Sequence, residues 1–287
     1  LKTLLRQELE RDVDEFGDER RSVLVQRAAA QALDETELVS VEPVTVVLSE
    51  KGWIRAAKGH EIEASELAFR SGDSFRAAAL GRSNQQAVLL GADGRSYSLA
   101  AHTLPSARGM GEPLAGRLSP PDGVPFVALA IGNAEQEVLV ASDAGYGFRT
   151  IYEHLFAKNK AGKALLNLPD GARALGVFPI DNPAEEDVVC VTSAGHVLVF
   201  KVLELPQLPR GKGVKLIQIP TLKFKSGEEV LKSVVVLGPG GSLRVSAGSR
   251  HITLKPRDLD VYRGERSKRG GRLPRGFQRV DEAVPGE

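Results

Sequence analysis

Val188-Val189-Cys190-Val191-Thr192-Ser193-Ala194-Gly195-His196-Val197-Leu198-Val199-Phe200 is the stretch that decides the fold. Two β-branched, apolar runs flank a small-residue turn in which Gly195 supplies the positive-φ position that tight turns need, so the stretch reads as a β-hairpin. Each run is apolar at nearly every position instead of alternating with polar residues. Both faces should therefore be covered, as in a blade packed between two others.

The same unit recurs at Val44-Thr45-Val46-Val47-Leu48-Ser49-Glu50-Lys51-Gly52-Trp53-Ile54, Val88 to Tyr97, Val138 to Arg149 and, more weakly, Leu243 to Leu254. The turn glycines 52, 94, 145, 195 and 248 are 42, 51, 50 and 53 residues apart, the spacing of one supersecondary unit per repeat. Further strand candidates lie between the hairpins, at 74–80, 124–131, 172–180 and 231–237. Each repeat thus offers about four short strands, the content of a propeller blade, and the fold class is all-β with about five four-stranded blades.

Outward from the repeats, Leu1, Leu4, Leu5, Leu9 and Val13 recur at helical spacing, predicting a short amphipathic helix that Gly17 ends. Because Leu1 falls inside that pattern, the chain is expected to be a piece of a longer polypeptide. Residues 28–40 read as a linker. The expected organisation is helix and linker over 1–42, the repeat region over 43–280 and a disordered tail over 281–287, whose ending in Pro-Gly-Glu is polar.

Of 287 residues, 26% are charged and 42% hydrophobic, an ordinary globular balance, and the net charge is only +1. No apolar run approaches the ~20 residues that span a bilayer, and no signal-peptide pattern occurs. A single cysteine, Cys190, excludes a disulfide framework and reads as a small core side chain. The charge is unevenly spread: residues 1–42 carry eleven acidic against six basic side chains, which leaves the repeat region distinctly positive. That asymmetry points to an anionic partner for one part of the chain.

The positive charge gathers in glycine-containing loops that follow the hairpins: 104–111, 156–163, 208–215 and 266–272. Glycines let backbone N–H groups approach phosphate oxygens, while Lys and Arg neutralise the phosphates and release counterions. Such contacts hold and orient a nucleic acid without reading its bases. The candidate contacts are Arg108, Lys158, Lys160, Lys163, Arg210, Lys212, Lys215, Arg263, Arg266, Lys268, Arg269, Arg272 and Arg275. Catalytic signals fail: Gly162-Lys163 lacks both the earlier glycine and the following Ser/Thr of a P-loop, having Ala157 and Ala164 there instead. His60, His102, His154, His196 and His251 show no metal-ligand spacing, so neither catalytic residues nor a metal site is expected in this chain.

Phe16-Gly17-Asp18-Glu19-Arg20-Arg21-Ser22, with the repeats behind it, resembles the A subunits of bacterial type IIA topoisomerases. The segment from Val44 to His60, Leu104-Pro105-Ser106-Ala107-Arg108-Gly109, Ala141 to Phe148 and Leu205-Pro206-Gln207-Leu208 bring the resemblance closer to topoisomerase IV than to gyrase. It covers essentially the whole chain. It implies a C-terminal β-pinwheel, open or closed, whose blades exchange strands and whose rim binds and bends duplex DNA. The motif at 16–22 would leave the breakage-reunion core, and the catalytic tyrosine would lie upstream of Leu1.

The resemblance further implies work in an A2B2 enzyme, with the B subunits and with the N-terminal core of the A chain. ATP and Mg2+ are used there and not in this chain, and the task is strand passage in decatenation or relaxation during chromosome segregation. It also implies a monomeric fragment, a cytoplasmic, nucleoid-associated location, peripheral at the inner membrane for the full protein, and contacts with chromosome-segregation proteins. One departure matters. Gyrase wraps DNA with a Gln-Arg-Arg-Gly-Gly-Lys-Gly box in its first blade, whereas the loop near Glu61 to Arg70 is acidic here, and the nearest lookalike is Ser267-Lys268-Arg269-Gly270-Gly271-Arg272. The competing readings are a gyrase-type wrapping domain and a protein-interaction propeller that ignores DNA.

Overall fold

The computed structural model describes residues 1–18 and 40–286. It divides the chain into two units, residues 1–37 and 38–287. In the first, α1 (Lys2–Phe16) ends where the Gly17 N–H donates to the Val13 carbonyl, and Leu4, Leu5, Leu9 and Val13 all stand exposed. Residues 19–22 of the motif and all but Ser40 of the expected linker lie outside the described residues.

The second unit is a row of five antiparallel sheets. The first contains β1 (Pro43–Ser49), β2 (Trp53–Lys58) and β3 (Phe75–Arg82), with the two-residue β6 (Glu112–Pro113) on its outer edge beside β2. The second has β4 (Gln86–Gly91), β5 (Arg95–Ala100), β7 (Phe126–Gly132) and outer β10 (Lys163–Ala164). The third has β8 (Glu137–Ser142), β9 (Tyr146–Ile151), β11 (Ala174–Ile180) and outer β14 (Val214–Lys215). The fourth has β12 (Asp187–Thr192), β13 (His196–Lys201), β15 (Leu231–Leu237) and outer β18 (Gly271–Arg272). The last holds β16 (Ser242–Ala247), β17 (Arg250–Leu254) and β19 (Glu282–Gly286). Two short helices, α2 (Thr221–Lys225) and α3 (Pro256–Asp260), sit in connections.

The outer strand of each of the first four blades comes from the next repeat: β6 follows β5, β10 follows β9, β14 follows β13 and β18 follows β17. Four blades therefore have four strands. Among the described residues the fifth has three.

The apolar runs do what their composition requires. Along β12, Val188 and Cys190 enter the core shared with the third blade, while Val189 and Val191 enter the core shared with the fifth. In β4, Ala87 and Leu89 face the first blade, and Val88 and Leu90 face the third. The described residues form four such inter-blade cores for five blades. The inner strands pack side by side in the order β3, β7, β11, β15, β19, and no contact of similar extent joins β3 to β19. The pinwheel is open at that point. The last blade explains its weaker repeat: β16 buries Leu243 and Val245 but exposes Arg244, a polar outer face that ends the stack.

One sequence expectation is overturned. Residues 281–287 were expected to be a disordered tail, yet β19 pairs with β16 from Ser242↔Gly286 to Ser246↔Glu282. The cause is non-local, since the inner-edge backbone groups of β16 need partners and the polar C-terminal segment supplies them.

Each exchanged strand is preceded by a glycine with positive φ: Gly111, Gly162, Gly213 and Gly270. At Gly213, φ is +73° and a Cβ would land on the Gly147 carbonyl of the receiving strand β9. The hairpin-turn Gly52 has a similar φ of +77° but open space around it. Gly52→Ala should therefore cost about 1–2 kcal/mol from backbone conformation alone. Gly213→Ala should cost clearly more, because the clash displaces β14 as well, and urea denaturation of the two variants measures the difference.

Candidate nucleic-acid interface

The four basic loops lie immediately upstream of the exchanged strands, so the topology sets each one at a blade-to-blade crossing on the outer edge. Their carbonyl groups are held by arginines that loop composition does not single out. From β2, the buried Arg55 donates to the Gly109 carbonyl at 2.9 Å and the Ala68 carbonyl at 2.8 Å, and burial lowers its pKa. From β5, Arg95 donates to the Ala161 and Gly162 carbonyls, both at 3.0 Å. From β9, Arg149 donates to the Leu205 carbonyl at 2.8 Å and pairs with Glu137 at 2.8 Å. A guanidinium suits this role because its planar fork satisfies two acceptors at once. The signal was a lone arginine inside an otherwise apolar strand, as in Ile54-Arg55-Ala56 and Phe148-Arg149-Thr150.

The candidate cations then separate into two groups. Lys163 donates Nζ to the His154 carbonyl at 2.8 Å, and Arg266 donates to the Lys215 carbonyl at 2.8 Å. Arg263 makes a two-pronged pair with Asp187 at 2.7 and 2.9 Å and a further bond to Asp260 at 2.9 Å, which raise its pKa. Arg269 bonds the Gln218 carbonyl at 2.9 Å and the buried carboxylate of Glu229 at 2.5 Å. These four are engaged within the protein.

The others face solvent at the crossings. Arg108, Lys158, Lys160, Arg210 and Arg275 are exposed, and among the described residues no partner holds their charged ends. Lys212 lies over the Tyr146 ring, 4.1 Å from its centroid, and the half-buried Lys215 lies 5.8 Å from it. Lys268 carries only a surface pair with Glu265 at 3.4 Å, and exposed Arg272 touches His196. Charge is most positive at the end of the chain: the last repeat, 242–286, carries eleven Lys and Arg against five Asp and Glu.

The loop near Glu61 to Arg70, expected to be acidic, exposes Glu61, Glu63 and Glu66 and packs against the first blade. Arg55 lies 4.8 Å from the Phe69 ring and Arg70 lies 3.7 Å from the Trp53 ring. The described residues contain no group of three or more His, Cys, Asp or Glu fit to hold a metal ion. Nor is Gly162-Lys163 a phosphate cradle, since a Cβ at Gly162 would meet the Tyr97 ring at 2.6 Å and Lys163 is tied to His154. No described helix is long and apolar enough to cross a membrane.

Residues 136–181 and 186–236 match the family model described as the DNA gyrase C-terminal domain, beta-propeller. The A subunit of DNA topoisomerase 4 from Pseudomonas aeruginosa is 54% identical over 284 residues, covering 99% of this chain and 38% of that protein. The protein of the same name from Escherichia coli K12 is 45% identical over 281 residues, covering 98% of this chain and 37% of that protein. The chain thus spans less than two fifths of the curated relatives it matches. The solved structure of the E. coli ParC C-terminal domain superposes with a TM-score of 0.77 at 45% identity, over 85% of this chain and 99% of that one. The gyrase A C-terminal domain, at 14% identity and a TM-score of 0.62 over 86% of this chain and 83% of that one, shares the fold.

Asp187 gives a stability test of the last crossing. Burial pushes its carboxyl up, but Arg263 and Lys201 outweigh burial and hold it below the ordinary value. Its contribution is therefore present above about pH 3.9 and is lost as pH falls through the depressed folded value. Asp187→Asn should lower unfolding stability by about 1–3 kcal/mol at neutral pH, with the difference from wild type vanishing in acid. Denaturant titrations across pH check it.

Proposed function

We propose, since this chain belongs to the family of C-terminal domains of topoisomerase IV A subunits, that it binds duplex DNA along the outer edge of its blades and bends it. The observation that carries this reading is the series of unpaired cations Arg108, Lys158, Lys160, Arg210 and Arg275, with Lys212 on Tyr146, at successive strand crossings. A duplex presents one negative charge per ~1.7 Å of axis, so cations repeated from blade to blade meet phosphates wherever the backbone passes. These contacts position the duplex and carry no base readout.

Bending ~20 to 30 base pairs through tens of degrees costs roughly 1 to 6 kcal/mol, a range that several phosphate contacts offset. The acidic first-blade loop and the opening between β3 and β19 limit the basic path to an arc, which favours a modest bend over gyrase-type wrapping. On this reading residues 1–42 connect the domain to the breakage-reunion core. The bent segment is then presented for ATP-dependent strand passage by the A2B2 enzyme on the nucleoid, in decatenation or relaxation during chromosome segregation.

Binding of a labelled duplex should weaken about 10³- to 10⁵-fold between 50 and 200 mM salt if ~6 to 10 phosphates are engaged. The double variant Arg210→Ala/Lys212→Ala should reduce the slope of log affinity against log salt by about 2. A flat salt response, or an unchanged slope in that variant, removes the electrostatic basis of the proposal and leaves a protein-docking propeller.

A further inference from the structure

Beneath the last basic loop lies a chain of charged groups that the surface contacts do not account for. Glu229, between α2 and β15, is 0% exposed, and its Oε2 accepts from Arg269. Its Oε1 lies 3.3 Å from Nδ1 of His196, whose side chain is 7% exposed. The two atoms are close without being hydrogen-bonded, and neither has a hydrogen-bond partner. On the far side of the ring, Arg272 donates its Nε–H to His196 Nε2 at 3.4 Å. His196 and Arg272 are also register partners, because exchanged strand β18 pairs with β13 there.

We propose that Glu229 and His196 are positioning residues for DNA binding, holding Arg272 and the 265–272 loop on the rim only while the imidazole is neutral. The proposal rests on the DNA-binding reading above. An arginine Nε is always a donor, so His196 Nε2 must accept and Nδ1 must carry the proton. That one tautomer turns Nδ1–H toward the unpartnered Glu229 oxygen. Arg269–Glu229 and Arg272–His196 are then two hydrogen-bonded pairs between core and surface, set against each other by the 3.3 Å approach of Nδ1 to Oε1.

Protonation breaks the Arg272–His196 pair. Imidazolium has a donor at both nitrogens, so Nε2–H would face the Arg272 donor, and the ring would add a third positive charge beside two arginines. The charged groups facing the ring are Arg269, Glu229 and Arg272. Burial first, then Arg269, lower its pKa, with Arg272 adding to them and Glu229 opposing. The Glu229 carboxyl is itself held low, since the Arg269 bond and the other polar and charged groups around it outweigh the effect of its burial. The anion is therefore in place throughout the range in which His196 titrates. Most protein–DNA complexes tighten as histidines charge, so a site that weakens on acidification has a distinct sign.

The test uses the whole chain with 15N-labelled histidine and a fluorescent duplex. His196 should be the Nδ1–H tautomer at neutral pH and titrate below about 6.5. Its midpoint should rise in Arg272→Leu and fall in Glu229→Gln. Duplex affinities of wild type and His196→Gln, which keeps an acceptor for Arg272 but cannot charge, should agree within about twofold at neutral pH. By about pH 5.5 wild type should be about three- to fivefold weaker than His196→Gln, a difference that vanishes in the Arg272→Leu background. An Nε2–H ring in wild type, which needs no variant to observe, or a pH-independent ratio of affinities, overturns the proposal. Absence of duplex binding by every form, with the tautomer as expected, overturns the DNA-binding reading instead and the positioning role with it.

Discussion

No blade among the first four is complete without its neighbour, because the outer strand of each is contributed by the repeat that follows. The exchange works only where the chain crosses within touching distance of the receiving strand. That is why a positive-φ glycine stands directly before each exchanged strand, with the Gly147 carbonyl occupying the space where a side chain at Gly213 would go. The rest of the arrangement follows. Crossings lie at the outer edge, and loops that make crossings lie there too. The last blade's exposed edge β17 carries Arg250, a charged side chain of the kind that discourages edge-to-edge association.

Arginine is used for two opposed tasks at these crossings. Arg55, Arg95 and Arg149 turn inward and satisfy loop carbonyls that would otherwise be stranded beside a packed sheet. A buried unpaired carbonyl costs roughly 1–3 kcal/mol, more than a typical exposed ion pair contributes, so the inward arginines matter more to stability than the outward ones. Arg108, Arg210 and Arg275 turn outward, and their side chains bond to nothing among the described residues. The inward set shapes the loops from which the outward set projects. Loop composition alone does not separate the two sets, since Arg266 and Arg269 sit in the same basic run as Lys268 and only the latter is free of a buried partner.

The stack also ends differently at its two extremities. At the first blade, an acidic loop folds back, with Phe69 under Arg55 and Trp53 under Arg70. At the fifth, the outer face turns polar, and eleven basic side chains crowd into about 45 residues. Electrostatic contacts with a polyanion act over about 8–10 Å at physiological salt, so the sign of each blade's edge is felt locally and not averaged over the unit. A near-zero net charge and a strongly basic arc are therefore compatible.

By itself the sequence determined the repeated hairpin, its five-fold recurrence and the burial of both its faces, because turn glycines and unbroken β-branched runs are local signals. It also determined where positive charge gathers. It did not determine which hairpin receives each outer strand: Lys163-Ala164 or Val214-Lys215 is too short to show any periodicity, and its partner lies about 67 residues away. It misread Glu282–Gly286, whose proline- and glycine-containing composition hides a strand that forms by pairing with β16. Nor could it separate the free cations from those bound to carbonyls and carboxylates. That division depends on distances between side chains and backbone groups of different repeats, which only the packed tertiary structure sets.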